Sequence, residues 1–172
     1  MLFRSGWFYH KNEEPHSLER LFETYLRTVG NNSTFNLNIP PMPNGKFDQK
    51  DINRLRELGE LIKKEFKTNL AEGIRFEALE GFGETQPEYT LKLNKKQTVN
   101  YVEIAEKISE GQKVESFVVF YKNKDNFWEE AGKHTTIGSR KIIKINARET
   151  DEIKIRITSS RDIPIIEWIK LF

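Results

Sequence analysis

Cysteine is absent from this chain of 172 residues, so neither a disulfide framework nor a cysteine-ligated zinc site can form. Histidine is scarce, and His10, His16 and His134 show no spacing typical of metal ligands, so we predict no metal site and no cofactor. No apolar run approaches the roughly 20 residues of a membrane-spanning helix, and residues 1–4 do not lead into the apolar core of a signal peptide. A formal charge of +2 indicates no nucleic-acid or membrane partner.

Helical and extended patterns alternate in the first half of the chain. Apolar side chains recur every three or four residues after Pro15 and Ser17, which open one helix, and again after Asp48, which caps a second helix. Between them, residues 34–43 alternate apolar and asparagine side chains before three prolines end the pattern, which predicts a short strand. The order helix, strand, helix is typical of an α/β layer or barrel.

A period of two replaces the helical period beyond Pro87. Apolar and polar residues alternate in several short stretches, and the clearest is residues 153–157, where isoleucine alternates with lysine and arginine. Short strands separated by turn residues predict a β-sandwich or jelly roll, with a last strand over residues 163–172. Residues 67–87 show neither period, so we expect the domain boundary there.

Two ordered sets of motifs resemble one known family. Those of the first half are Gly-Trp-Phe-Tyr-His at residues 6–10, Val-Gly-Asn at 29–31, Leu-Asn-Ile-Pro-Pro at 37–41 and Leu-Gly at 58–59. Those of the second half are Glu106, Gly-Gln-Lys-Val at 111–114, Thr-Thr-Ile-Gly at 135–138 and Ile-Arg-Ile at 155–157. Together they resemble the C-terminal part of the α-L-fucosidases of glycoside hydrolase family 29.

The resemblance implies a two-part α+β chain. Residues 1–70 correspond to the β/α end of a (β/α)8-like catalytic barrel, and residues 71–172 to a galactose-binding or discoidin-like β-sandwich. The segment between Gly73 and Tyr89 is shorter than in the family, which implies that an early strand or loop of the sandwich is missing. Fucosylated glycans are then the expected substrates of the parent enzyme.

The same resemblance implies that this chain is not catalytic alone. In the family, an aspartate nucleophile and a glutamic acid acting as acid/base lie upstream of the Gly-Trp-Phe-Tyr-His motif, and neither has a counterpart in this sequence. A retaining glycosidase needs two carboxyl groups roughly 5 to 5.5 Å apart. Adjacent acids at residues 13–14 and 129–130 have no fixed separation of that kind, so we interpret them as surface charge.

Three side chains of the first motif are the candidate substrate-binding residues. The resemblance places Trp7, Tyr9 and His10 near the fucose pocket, where an aromatic ring can stack on a sugar, although such a run is equally typical of barrel packing. We interpret Trp128 as part of the sandwich core or its edge. The alternative function is a free-standing carbohydrate-binding or structural interaction module.

An incomplete barrel also predicts an interaction surface. The apolar faces of the two helices would lack their usual barrel partners, and a large exposed apolar patch marks an interface. We therefore predict self-association through exposed barrel helices, with the contacts made by Leu21, Phe22, Leu55 and Ile62.

Overall fold

The computed structural model describes residues 1–79 and 81–172, which form two compact units. No helix in these two ranges is both long enough and apolar enough to cross a membrane. Each unit contains two segments of the chain. Unit 1 consists of Met1–Val29 and Ser33–Lys67, and unit 2 consists of Gly30–Asn32 and Thr68–Phe172.

Both predicted helices form in unit 1. Helix α1 spans Leu18–Thr28 and helix α2 spans Gln49–Glu65. The side chains of Ser17 and Asp48 cap them by accepting hydrogen bonds from first-turn backbone N–H groups, at 3.3 and 3.0 Å respectively. These caps satisfy donors that a helix start leaves without partners, so the local sequence is sufficient to set both N-termini.

The apolar residues of these helices are not exposed. Leu21 and Phe22 are buried, and Leu55 and Ile62 are half-buried. Leu21 and Phe22 are therefore shielded from water, whereas Leu55 and Ile62 keep part of their surface accessible, so the predicted contact residues are not tested by this burial. Self-association itself stays a prediction.

The strand predicted for residues 34–43 is not formed. Within the described chain, its ladder pairing is limited to one isolated parallel bridge between Leu2 and Asn38. Phe3 N donates to Asn38 O at 3.1 Å, and Asn38 N donates to Met1 O at 3.0 Å. A strand needs several successive pairs with a neighbour, so the alternating pattern alone does not make this segment regular.

Unit 2 is an antiparallel sheet. Its strands are β1 Glu77–Leu79, β2 Glu88–Glu106, β3 Val114–Lys122, β4 Trp128–Thr135, β5 Lys141–Ser160 and β6 Ile166–Leu171. They are ordered β1-β2-β5-β3-β4, and β6 pairs with β2 outside that order. The predicted C-terminal strand is confirmed as β6, although it is shorter than expected.

Two strands are longer than the sequence pattern predicts. Strand β2 joins two alternating stretches that we expected to be separate strands, and β5 does the same. Neither strand contains a glycine or proline that would end it. Instead, the pairing of β2 with β5 shifts register between Lys92 and Gln97 and again between Val99 and Tyr101. Such irregularities let a long strand bend without ending.

Both halves of these long strands contribute to one core. Ile153, Ile155 and Ile157 are fully buried, which confirms the alternation predicted for this stretch. They share a hydrophobic cluster with residues from the other half of β5 and from β2, β3 and β6. Residues of the sheet itself therefore cover its apolar face, as in a β-sandwich.

A buried carboxylate accounts for several motifs of unit 2. Glu106 Oε1 accepts hydrogen bonds from Lys113 N at 2.8 Å and Val114 N at 3.0 Å, and its Oε2 accepts from Gly138 N at 2.8 Å. Gly138 has a φ of +66°, and an added Cβ would lie 2.5 Å from Asn32 Oδ1. Only glycine fits at position 138. The motif residues Glu106 and Gly138 therefore have a structural role, which is to hold neighbouring loops together.

Candidate substrate-contacting loop

Residues 6–13 form an irregular loop before helix α1. Glu13 N donates to His10 O at 3.1 Å and closes a turn at residues 10–13. The side chains of Trp7 and Phe8 are 63% and 74% exposed. A loop that presents two large aromatic rings to solvent gains no burial energy from them, so its shape must be held by other contacts.

The buried side chain of Arg4 makes the contacts that hold the shape of this loop. It is 0% exposed, as is its partner Asp51 on helix α2. Arg4 Nε lies 3.0 and 3.1 Å from the two carboxylate oxygens of Asp51, and Nη2 lies 2.8 Å from Oδ1. Arg4 Nη1 donates to the backbone carbonyls of His10, at 3.3 Å, and of Glu13. One guanidinium thus joins the end of the loop to α2 by charge-assisted hydrogen bonds.

Tyr9 belongs to the same network. Its hydroxyl donates to Asp48 Oδ2 at 2.9 Å, and the guanidinium carbon of Arg4 lies 4.9 Å from the centre of its ring. The hydrogen bond to Asp48 raises the pKa of Tyr9 above its ordinary value. The backbone N–H of Lys50, and then the Tyr9 hydroxyl, lower the pKa of Asp48. The Tyr9 hydroxyl is therefore already bonded within the protein, and its role here is to position the loop.

Trp7 lies at a small cleft that contains amide side chains. The cleft has a volume of about 250 Å³ and is lined by Met1, Trp7, Asn36, Leu37, Asn38 and Ile39. Asn38 Nδ2 donates to Trp7 O at 3.1 Å, and this hydrogen bond holds the backbone of Trp7 in place. An aromatic face beside amide groups combines an apolar platform with hydrogen-bonding groups, as saccharide recognition requires. His10 is exposed and does not line this cleft.

The adjacent acidic residues have structural or surface roles. Ser5 Oγ donates to Glu13 Oε1 at 2.6 Å, and Glu14 forms an exposed ion pair with Lys50. Glu129 accepts hydrogen bonds from the Tyr121 hydroxyl and from Asn123. Across the part of the chain that the structure describes, no group of three or more histidine and acidic side chains is placed to hold a metal ion.

Sequence reasoning found the aromatic run but missed what positions it. Arg4 precedes the run and Asp51 lies in the first turn of α2, and no sequence pattern pairs the two residues. The available signal was a basic residue next to an aromatic run, because a buried arginine requires a carboxylate partner. The amides of Asn36 and Asn38 were also missed as cleft residues, since they were considered only as part of a strand pattern.

Comparison with known proteins identifies the chain's relatives. A sequence model of the family Alpha-L-fucosidase matches residues 1–66. The chain is 31% identical to Alpha-L-fucosidase 1 of Arabidopsis thaliana, over 98% of this chain and 39% of that protein. This chain is a relative of the α-L-fucosidases of glycoside hydrolase family 29.

Solved structures of glycoside hydrolase family 29 proteins share the fold. The crystal structure of SpGH29 superimposes with a TM-score of 0.91 at 31% identity, over 99% of this chain and 42% of that one. A GH29 fucosidase of Ruminococcus gnavus in complex with fucose gives a TM-score of 0.88 at 27% identity, over 99% of this chain and 40% of that one. The chain spans about two fifths of the length of these fucosidases.

Proposed function

We propose that this chain is the C-terminal part of an α-L-fucosidase that removes terminal fucose from glycans. In this proposal, residues 1–70 are the closing part of the catalytic barrel and residues 71–172 are its discoidin-like β-sandwich. The parallel bridge between Leu2 and Asn38 supports the first assignment, because neighbouring strands of such a barrel are parallel. The antiparallel sheet with one internal core supports the second.

The chain's contribution to the reaction is substrate positioning. A retaining glycosidase uses one carboxylate as nucleophile and another as acid/base, and we assign both to the remainder of the enzyme. The observation that carries the proposal is the exposed indole of Trp7, on a loop held by the buried pair of Arg4 and Asp51. A rigidly held ring can stack on the apolar face of a sugar without first losing conformational entropy.

A fucosidase assay tests whether this chain lacks the two catalytic carboxylates, as proposed. The purified chain, at tens of micromolar, is incubated with a chromogenic aryl α-L-fucoside. We expect no turnover above the blank, because neither catalytic carboxylate is assigned to this chain. Turnover that stays with the polypeptide through successive purification steps, and that falls in Glu13→Gln, would contradict this assignment.

A binding measurement tests the role of Trp7. Fucose is titrated into Trp7→Ala, Phe127→Ala and the parent, and binding is followed by the chemical shifts of the backbone N–H groups of residues 36–39, which line the cleft. Phe127 is a matched control, since its ring is also largely exposed. We expect Trp7→Ala to lose the fucose-dependent shifts and Phe127→Ala to keep them. Equal responses in both variants would remove Trp7 from the site.

Self-association remains part of the proposal. Within the described chain, the large apolar side chains that are exposed in unit 1 are Met1, Trp7, Phe8 and Phe47, and none lies on α1 or α2. Size-exclusion chromatography at several concentrations checks whether the chain associates. An elution volume that shifts with concentration in the parent but not in Phe8→Ser would assign the contact to the aromatic loop, whereas a concentration-independent monomer would reject self-association.

A further inference from the structure

We propose that the outer face of strands β3, β4 and β5 binds an acidic saccharide unit, of the uronic acid type. This site lies within unit 2 and goes beyond the proposed fucosidase function. The observations that carry it are a cleft of suitable size, two cations directed along its sides, and hydrogen-bonding groups at its end.

The register of the sheet builds the cleft. On the outer face, Val118 of β3 is the direct neighbour of Lys133 on β4 and of Arg156 on β5. In the next row, Phe120 is the neighbour of Glu130 on β4. Since adjacent strands lie about 4.8 Å apart, the two sides of this cleft are about 10 Å apart, with an apolar floor. Its volume of about 480 Å³ lies within the range of roughly 300 to 1,000 Å³ that is typical of small-ligand sites.

Arg156 is held in place by Phe120, which lines the cleft, and by Phe82 and Glu88 beside it. Its guanidinium carbon lies 5.2 Å from the ring centre of Phe120 and 5.2 Å from that of Phe82. Its Nε donates to Glu88 Oε1. Among the described residues no hydrogen bond uses its Nη groups, so the outer edge of the guanidinium is available to a planar acid. Arginine recognises carboxylates with two parallel hydrogen bonds, and a fixed guanidinium does so at a lower entropy cost.

Lys133 supplies the second cation on the opposite side. Its side chain is 74% exposed, and its ammonium lies 3.8 Å from Glu130 Oε2. An exposed pair at this distance contributes little, so the ammonium remains available to a ligand. Glu130, the one carboxylate among the described residues that line the cleft, can accept hydrogen bonds from sugar hydroxyls.

The end of the cleft is polar. The hydroxyls of Ser116 and Thr158 lie 2.7 Å apart, and His134 Nε2 is buried without a hydrogen-bond partner among the described residues. Burial, and then the charge of Lys141, lower the pKa of His134, so its imidazole is neutral near pH 7. The lining thus combines two cations, one carboxylate and several neutral polar groups, which matches a ligand carrying one carboxylate and several hydroxyls.

Nucleic acid fits this cleft less well. Lys154 and Arg156 lie over the ring of Phe120, which leaves that ring covered and unable to stack on a base.

Isothermal titration with trigalacturonic acid and its methyl ester tests the proposal. The ester keeps the hydroxyls and removes the charges. We expect the acid to bind at least about tenfold more tightly, because a hydrogen bond to a charged group is worth roughly 1.5 to 3 kcal/mol. Lys133→Gln and Arg156→Gln should each weaken binding of the acid severalfold. Lys95→Gln, which removes an exposed lysine of β2 that does not line the cleft, should leave it unchanged.

Several results would overturn the proposal. They are absence of binding by the acid, equal binding of the acid and its ester, an unchanged affinity in Lys133→Gln, and a loss in Lys95→Gln as large as in Lys133→Gln. Tighter binding of a single-stranded DNA of equal charge would assign the surface to a polyanion instead. Thermal melts show whether Arg156→Gln is folded, and Lys133→Gln tests the site independently because its side chain is largely exposed. None of these results depends on fucosidase activity.

Discussion

Removal of the Arg4 guanidinium should selectively destabilise unit 1. In Arg4→Met, the carboxylate of Asp51 stays in a fully buried position but loses its cationic partner. The carbonyls of His10 and Glu13 lose their donor as well. Removing one member of a buried ion pair costs about 3 to 5 kcal/mol, chiefly because the remaining charge is left uncompensated. We expect a loss of that size in the free energy of opening of the loop and of α2.

Hydrogen exchange of unit 1 peptides measures this loss. Lys50→Met is the matched control, because its pair with Glu14 is exposed and such pairs contribute about 0 to 1 kcal/mol. The double variant Arg4→Met/Asp51→Leu should recover much of the stability, since no charge then remains buried. If Arg4→Met reduced amide protection no more than Lys50→Met, the argument that this buried pair holds the loop would be refuted.

Three further predictions concern unit 2 and helix α2. Ile155→Asp should lower the free energy of unfolding by several kcal/mol, because it places a charge in the core, whereas Lys144→Asp, at an exposed position of the same strand, should change the melting temperature little. Burial, and then the charge of Glu106, raise the pKa of Tyr89 to about 12 from an ordinary value of 10.0. The unfolded chain therefore loses this proton first, so the contribution of Tyr89 to stability is complete below about pH 10 and lost by about pH 12. Denaturant titrations should show this decline, and Tyr89→Phe should lack it. Gly138→Ala should destabilise by more than about 1 kcal/mol in the same titrations because of its positive φ and close neighbour, while Gly59→Ala, in open space within α2, should stabilise by about 0.5 to 1 kcal/mol.

The candidate site was only partly predictable from the sequence. The aromatic run at residues 6–10 is visible as a motif, and its exposure follows from no local rule. Its geometry depends on contacts between Arg4 and Asp51, which are 47 residues apart, and between Tyr9 and Asp48, which are 39 residues apart. Pairings over such distances are set by how the helix lies against the loop, and a linear pattern does not contain that information.

The features that the sequence determined by itself depend on interactions between residues close together in the chain. The caps at Ser17 and Asp48 and the alternating isoleucines of residues 153–157 act through neighbours one to four positions away, so both helices and the buried strand face could be predicted. The tertiary structure alone decided that residues 34–43 have no continuous strand partner among the residues that the structure describes, and that β2 and β5 continue through their irregularities. The physical reason is that a strand exists only through hydrogen bonds to another part of the chain, whereas a helix satisfies its backbone within itself.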